Sequence, residues 1–493
     1  MSNSENVLSV VGGPDAKMEL LHNTAMKPSQ FNIIVEDAQV KKGLVFNSLY
    51  GSLTLLQPEE MALAKCILED PATTPPGAGA LYDDLVKQRY LVANDIDERA
   101  IVVARKHAGI RDQNRLDLII MPTLDCNFAC TYCYEEHPPS RMTEQTREAI
   151  KAWLTKEIPK HKVFLLIWFG GEPLMGYRTV LQITRHALQV AQQNNVAFIG
   201  HMTTNGYLLD QRRVKELIDA NVFEFQITLD GAPEAHNRLR ILRNGRGTFD
   251  KVFQNILVLA RADERTTISL RVNFNGSNLH SIPNLLSLFP ADVRSKLDLE
   301  MEPIFGSCTL SAVGNLPAED ISQALAEYCS LAEGMGYRVK HGLSQIRTGR
   351  LVYCLAERES QLVINYNGDV YKCGVATFRP EDRVGYIVGD GTLVKVEERW
   401  NQYVSSKLFE EQCYMCKYLP LCMGGCRSAR LKNEGTGSFC SLIPTNTTTL
   451  LRQVVRGRFG NLLRAKPEET RRSSDVDRSA LAKRKEVISP WKS

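Results

Sequence analysis

From residue 115 onward, short apolar runs alternate with longer amphipathic stretches. The runs at 116–124, 163–169, 196–205, 223–229, 267–274 and 297–305 are rich in Val, Ile, Leu, Phe and Thr, residues that suit a pleated, buried strand. Between most of them, at 142–158, 179–194, 210–221 and 248–262, apolar residues recur at helical spacing, and a less regular stretch follows Asn278. Near-continuous apolar strands separated by amphipathic helices are the pattern of parallel βα units. Six such strands predict an α/β partial or open barrel over 113–335. Its functional loops belong at the C-terminal ends of the strands.

The flanking regions have other rhythms. Residues 1–27 show no periodicity and read as a flexible N-terminus. Short β-like runs at 31–35, 44–48 and 52–56 follow, with Gly51 as a turn. Pro58 then opens the helical stretch PEEMALAKCILED, and LYDDLVKQRYLV gives another. This order predicts a small winged-helix-like domain over 28–112. Residues 336–455 are richer in Gly and Cys, with one readable hairpin, QLVINYNGDVYKC, turning at Asn367-Gly368. The tail at 456–493 is polar and basic and reads as disordered.

The chain has 493 residues, 43% hydrophobic and 24% charged, as ordinary globular proteins do. Its formal charge of +4 belongs to the tail, because 452–493 alone sums to +7 and the rest to −3. The body therefore gives no reason to expect a nucleic-acid partner. No apolar run approaches the ~18–20 residues of a membrane span, and MSNSENVLSVVGG lacks the flank and core of a secretory signal. A cytoplasmic protein without a membrane partner is expected.

Thirteen cysteines sharpen this picture. In a reducing compartment, clustered cysteines bind metal or perform chemistry more often than they form disulfides. Ten fall into patterned groups, leaving Cys66, Cys308 and Cys329 isolated. The first group, Cys126, Cys130 and Cys133, sits just after the first barrel strand in LDCNFACTYC. Three thiolates in one tight loop suit three corners of a cubane iron–sulfur cluster, whose fourth iron then stays open. A zinc site completed by His137 is the alternative. The spacing CxxxCxxC, with Tyr132 before its last cysteine, resembles the signature of the radical S-adenosylmethionine enzymes. The resemblance implies that these three cysteines hold a 4Fe-4S cluster, that its open iron chelates S-adenosylmethionine, and that Tyr132 borders the adenine.

Polar residues end the later strands. Gly170, Gly171, Glu172 and Pro173 follow the second strand. Glycines permit close backbone approach to a ligand, and Glu172 offers a carboxylate to an ammonium. The alternative is a plain strand-to-helix turn with a Pro start. In this order after CxxxCxxC, the run is similar to the family motif that holds the methionine amino group. Thr203-Thr204-Asn205-Gly206 follows on the third strand, Thr228-Leu229-Asp230-Gly231 on the fourth with His236 and Arg240 beyond, and Arg271-Val272-Asn273 on the fifth. By resemblance, Asn205, Thr228, Arg240 and Asn273 contact the ribose and methionine carboxylate, and His236 is structural.

The remaining cysteines form an array near the C-terminus: Cys413, Cys416, Cys422, Cys426 and Cys440, with Cys354 and Cys373 upstream around the hairpin. Seven exceed one tetrahedral zinc site. The array resembles the SPASM domain, an auxiliary-cluster module of radical enzymes that modify peptides and proteins. The resemblance assigns Cys413, Cys416, Cys422 and Cys440 to a distal auxiliary 4Fe-4S cluster, and Cys354, Cys373 and Cys426 to a proximal one. That makes three clusters in all. The proximal cluster is left with an open position for a substrate thiolate, unless Cys329 or Cys308 closes it.

The resemblance implies reductive cleavage of S-adenosylmethionine to a 5′-deoxyadenosyl radical, with a ferredoxin- or flavodoxin-type electron donor. The N-terminal unit is similar to leader-recognition domains, which pair an extended peptide with a sheet edge; a barrel-packing cap is the alternative. The expected function is modification of a ribosomally made precursor peptide with a leader, by thioether or carbon–carbon cross-linking of side chains. Two alternatives stand beside it. One is an anaerobic sulfatase-maturing enzyme, although such relatives place an Asp after the proximal cysteine where this chain has Gly374. The other is a non-catalytic iron–sulfur protein that transfers electrons or senses redox state.

Overall fold

The structure is a computed structural model that describes residues 25–38, 40–304, 318–339, 346, 348–375, 378–404, 407–432 and 443–456. The chain divides into two compact units, Asp97–Ile443 and a second made from Met1–Ile96 with Pro444–Ser493.

In the smaller unit, β1 (Met26–Pro28) pairs antiparallel with β5 (Leu91–Ala93), while β2 (Asn32–Asp37), β3 (Lys42–Asn47) and β4 (Leu53–Leu56) form an antiparallel sheet with β3 in the centre. Gly51 takes the turn before β4 with a φ of 80°. The helix Pro58–Glu69 starts at its proline, as the sequence indicates, and the Glu60 carboxylate closes a capping box by accepting from Gln57 N at 2.8 Å. Val45, Leu56, Met61, Ala64, Ile67, Leu85 and Tyr90 make the unit's core. The helix Ile443–Val455 belongs to this unit, with Leu451, Val454 and Val455 buried and Arg456 Nε 2.5 Å from Asp37 Oδ2.

The larger unit carries six parallel strands in sequential order: β6 (Arg115–Ile120), β7 (Val163–Trp168), β8 (Ala197–Thr204), β9 (Val222–Thr228), β10 (Thr267–Phe274) and β11 (Leu297–Pro303). This is the partial barrel that the sequence pattern predicts. The helices Glu144–Glu157, Tyr177–Gln193, Gln211–Asp219 and Phe249–Ala262 lie between its strands. Side-chain caps start two of them, Thr143 accepting from Thr146 N and Asp210 from Arg213 N. One set of strand residues, including Leu116, Leu118, Phe164, Leu166, Ile227, Leu270 and Leu299, packs into the main core.

The hairpin at Asn367-Gly368 forms as expected, with Gly368 at φ 87°. Its first strand, β13 (Gln361–Ile364), pairs parallel with β6. The cysteine-rich segment thus continues the barrel sheet instead of standing apart from it. β14 (Asp369–Tyr371), β15 (Gly385–Ile387) and β16 (Leu393–Lys395) extend the sheet antiparallel, and β12 (Arg338–Val339) adds to its other edge.

Two boundaries differ from those read in the sequence. The helix Glu98–Arg111, expected in the N-terminal domain, groups with the larger unit. Lys106 is paired there with Glu357, and Glu359 N donates to the Ile110 carbonyl at 2.9 Å. The final helix, expected in the cysteine-rich domain, groups with the N-terminal residues. Both are amphipathic segments whose partners lie hundreds of positions away, so periodicity alone does not assign them. The expected tail lies almost wholly outside the described residues. No helix among the described residues is long and apolar enough to cross a membrane.

Candidate functional site

The loop after β6 holds Cys126, Cys130 and Cys133. Backbone bonds pin it to the segment after the helix Pro233–Leu239: Ala129 N donates to Ile241 O at 2.8 Å, Thr131 N to Leu239 O at 2.9 Å, and Arg243 N to Asn127 O at 3.2 Å. No disulfide joins the three thiols. Burial raises the pKa of each; it pushes Cys126 up to about 12, helped by the charges of Glu172 and Cys130 and opposed by Arg240. Cys133 is accessible, and burial of its thiol with the Glu135 charge raises its pKa. Three crowded thiols disfavour a thiolate state without a compensating cation, which is what an iron cluster supplies.

His137 Nε2 lies 3.3 Å from Cys133 Sγ, while its Nδ1 is held by the Leu124 carbonyl at 3.0 Å. Three thiols on one loop are the donor set of a cubane, which takes each cysteine on a different iron. The donor set fits a cluster.

Gly170 and Gly171 behave differently from the expectation of ligand approach. A Cβ on Gly170 would meet Thr123 O at 2.4 Å, and one on Gly171 would meet Leu124 O at 2.3 Å and Asp125 O at 2.4 Å. The glycines bring the loop after β7 against the cysteine loop, and Glu172 N donates to Asp125 O at 2.9 Å. Glu172 is fully buried. Its Oε1 accepts from Leu174 N at 2.9 Å and Thr204 Oγ1 at 2.8 Å, and its Oε2 from Asn205 N at 2.8 Å. Glu172 therefore caps the turn that begins at Pro173, and the plain-turn reading describes part of its role. Burial raises its pKa against these hydrogen bonds and the Arg240 charge, and no ion pair holds it among the described residues.

Asn205 joins the two loops. Its Nδ2 donates to Asn127 Oδ1 at 2.8 Å and approaches Cys126 Sγ at 3.8 Å. Tyr132, Arg240 and Asn273 also meet, around Asp230. The Tyr132 hydroxyl donates to Asp230 Oδ2 and accepts from Arg240 Nη1 at 2.7 Å and Asn273 Nδ2 at 3.1 Å. Asp230 Oδ1 accepts from Asn273 N at 2.8 Å. Thr228 ends β9 nearby, but no described residue hydrogen-bonds its hydroxyl. His236 is fully buried: its Nδ1 accepts from Asp230 N at 3.2 Å and its Nε2–H faces Thr248 Oγ1 at 3.0 Å, a structural placement. The sequence pointed to the TLDG run without singling out Asp230; a carboxylate at a strand end with an Arg ten residues on was the available signal.

Six of the seven later cysteines lie among the described residues. Burial raises the Cys354 thiol, and the charges of Cys373 and Cys426 raise it further. Burial likewise raises the Cys413 thiol, and the charges of Cys422 and Cys416 raise it further. Cys354 and Cys426 are solvent-accessible. Cys329 is buried on the helix Ala318–Gly334; burial and the Glu333 charge push it up to about 12. Cys440 and Cys308 lie outside the described residues.

Residues 120–289 match the model of the Radical SAM superfamily. The chain is 24% identical over 345 residues to the cysteine-type anaerobic sulfatase-maturating enzyme of Clostridium perfringens (strain 13 / Type A), covering 65% of this chain and 90% of that one. It is 24% identical over 366 residues to the serine-type anaerobic sulfatase-maturating enzyme of Bacteroides thetaiotaomicron, covering 63% and 82%. The solved structure "Native anSMEcpe with bound AdoMet and Cp18Cys peptide" superposes with a TM-score of 0.55 at 19% identity, covering 70% of this chain and 98% of that one. That likeness is one of fold.

Proposed function

From the premise that residues 120–289 are a radical S-adenosylmethionine domain, we propose that the chain modifies a ribosomally made precursor peptide by cross-linking side chains through a thioether or carbon–carbon bond. The observation that carries this reading is the convergence, at successive strand ends, of the Cys126 loop, Glu172, Asn205 and the Tyr132–Asp230–Arg240–Asn273 network, followed by two further cysteine sets.

The family implies a 4Fe-4S cluster and S-adenosylmethionine, and Cys126, Cys130 and Cys133 would hold the cluster. When bound and reduced, it supplies the electron that cleaves S-adenosylmethionine to a carbon radical able to abstract hydrogen. Glu172 offers its carboxylate to the methionine ammonium, with Gly170, Gly171 and Pro173 fixing its turn. Arg240 supplies the cation for the methionine carboxylate. Asn205, Thr228 and Asn273 present polar groups to the ribose, and Tyr132 borders the adenine while its hydroxyl stays on Asp230. Cys413, Cys416, Cys422 and Cys440 would hold one auxiliary cluster, and Cys354, Cys373 and Cys426 a second with an open position for a substrate thiolate. A ferredoxin- or flavodoxin-type protein donates the electron. The small unit, whose sheet has β2 and β4 as its edges, recognises the leader by adding it as a strand.

Sulfatase maturation is the second reading, favoured by the relatives. Gly374 opposes it. A Cβ there would meet only Ile119 Cδ1 at an ordinary 3.4 Å, so the missing acid is a matter of sequence and not of space. The test is anaerobic incubation with S-adenosylmethionine, a reductant and a short peptide encoded beside the gene. Formation of 5′-deoxyadenosine with loss of two hydrogens from the peptide supports cross-linking. Formylglycine formation on a sulfatase peptide instead would replace it with the second reading. No 5′-deoxyadenosine from cluster-replete protein would leave a non-catalytic iron–sulfur protein.

A further inference from the structure

The last two barrel strands carry their polar residues on one face. On β10, Ile268, Leu270, Val272 and Phe274 pack into the main core. Side chains alternate across a strand, so Thr267, Ser269, Arg271 and Asn273 point to the other side, where each is half-exposed. On β11, Leu297 and Leu299 belong to the core. Asp298, Glu300 and Glu302 therefore share the face of the polar set on β10. The register sets Ser269 beside Asp298, Arg271 beside Glu300 and Asn273 beside Glu302. This is the face on which Asn273 Nδ2 meets the Tyr132 hydroxyl of the cysteine loop at 3.1 Å, the inner side of the barrel.

Glu302 ends the polar ladder. Adjacent strands lie about 4.8 Å apart, so its backbone stands one strand from Asn273 and from the residues proposed to hold S-adenosylmethionine. β12 pairs with Asp298 and Leu299; among the described residues, no strand runs beyond Glu302, and its side chain is solvent-accessible. Asp298 is paired with Arg338 at 2.6 Å. No hydrogen bond or ion pair holds Glu302 among the described residues. Burial raises its pKa; the Arg271 charge opposes this and the Glu300 charge adds to it. A carboxylate raised in this way takes up a proton more readily than one in water. At the first barrel strand, Gly374 stands against Ile119 and brings no acid.

Cross-linking creates a need for such a group, because joining two side chains removes two hydrogens and only one leaves as an atom. We propose that Glu302 is the general base that takes the second hydrogen as a proton. This rests on the cross-linking reading. A C–H bond of one side chain breaks homolytically, its hydrogen atom going to the 5′-deoxyadenosyl radical. The S–H bond of the other, or its C–H bond where carbon joins carbon, breaks heterolytically and its proton goes to the Glu302 carboxylate. The new bond forms between the two side chains, and the one electron left over passes to an oxidised iron–sulfur cluster.

The test reads coupling. Full-length wild type, E302Q and E302D, reconstituted anaerobically, are incubated with S-adenosylmethionine, a reductant and the precursor peptide encoded beside the gene. Mass spectrometry gives the cross-linked peptide formed per 5′-deoxyadenosine released. A positioned base contributes about 10²–10⁴-fold, so the ratio should fall at least tenfold in E302Q, while E302D, which keeps the carboxylate, should retain more of it. Before reconstitution, E302Q should bind the labelled precursor within about twofold of wild type in fluorescence anisotropy, since a base acts on the bound peptide. A ratio equal to wild type in E302Q overturns the proposal. So does a loss of binding that matches the loss of ratio, the mark of a docking or structural role. If E302Q does not accumulate folded, E302D decides: a lowered ratio with binding retained supports, and any other result overturns. Wild type that releases 5′-deoxyadenosine and joins no side chains overturns the cross-linking reading and this proposal with it; wild type that cross-links, with E302Q keeping pace, overturns this proposal alone.

Discussion

Tyr132 shows how much one side chain carries at this site. Its hydroxyl donates to Asp230 and accepts from Arg240 and Asn273. Removing it leaves a buried carboxylate and two donors short of a partner, each group costing about 1–3 kcal/mol when unsatisfied. Tyr132→Phe should therefore lower stability by about 3 kcal/mol or more in a urea melt, and should weaken S-adenosylmethionine binding by equilibrium dialysis at least tenfold. His236, one hydrogen bond further out, gives a pH signature. Burial and the Arg240 charge hold its folded pKa well below 6.5. Its neutral form thus supports the fold fully above pH 6.5, and that support is lost as the pH falls, because the unfolded chain takes up the proton first. Between pH 7 and 5.5, cluster-free wild type should lose about 1 kcal/mol more than His236→Gln.

At the scale of elements, the loop after β7 is shaped by its neighbour. Gly171 has no room for a Cβ, since Leu124 O and Asp125 O would lie 2.3 and 2.4 Å away. Both are backbone, so the cysteine loop itself must move. Gly171→Ala should cost about 1–3 kcal/mol and should release one cluster's worth of iron while leaving the remaining iron in place, read by iron analysis per chain. Six barrel strands, their intervening helices, the hairpin and the cysteine motifs were legible because each is a local pattern of period, turn residue or spacing. What was not legible is long-range. Gly171 reads as a ligand-facing glycine until Asp125 is seen against it. Asp230 reads as one of several polar strand-end residues until Tyr132 and Asn273 close on it. The pairing of β13 with β6 joins residues that only the folded sheet brings together.

The same limit acts at the scale of the whole molecule and leads to a different truncation from the one the sequence suggests. The smaller unit is discontinuous, built from Met1–Ile96 and Pro444–Ser493. Its last helix buries Leu451, Val454 and Val455, and Arg456 pairs with Asp37 on β2. Deleting 1–96 alone strands that helix, exposing its apolar face and unpairing the arginine; the product should aggregate in sedimentation. Deleting 1–96 together with 444–493 removes the unit whole, and the remaining Asp97–Ile443 retains all ten patterned cysteines and every strand of the larger sheet. Under the proposed division of labour, this core should bind iron as the full chain does and still form 5′-deoxyadenosine, while losing modification of the leader-bearing peptide. Adding the leader as a separate peptide should not restore it, because the strand-pairing edges have gone. Retained modification of the full precursor by the core would assign leader recognition to the larger unit and leave the smaller one a packing cap.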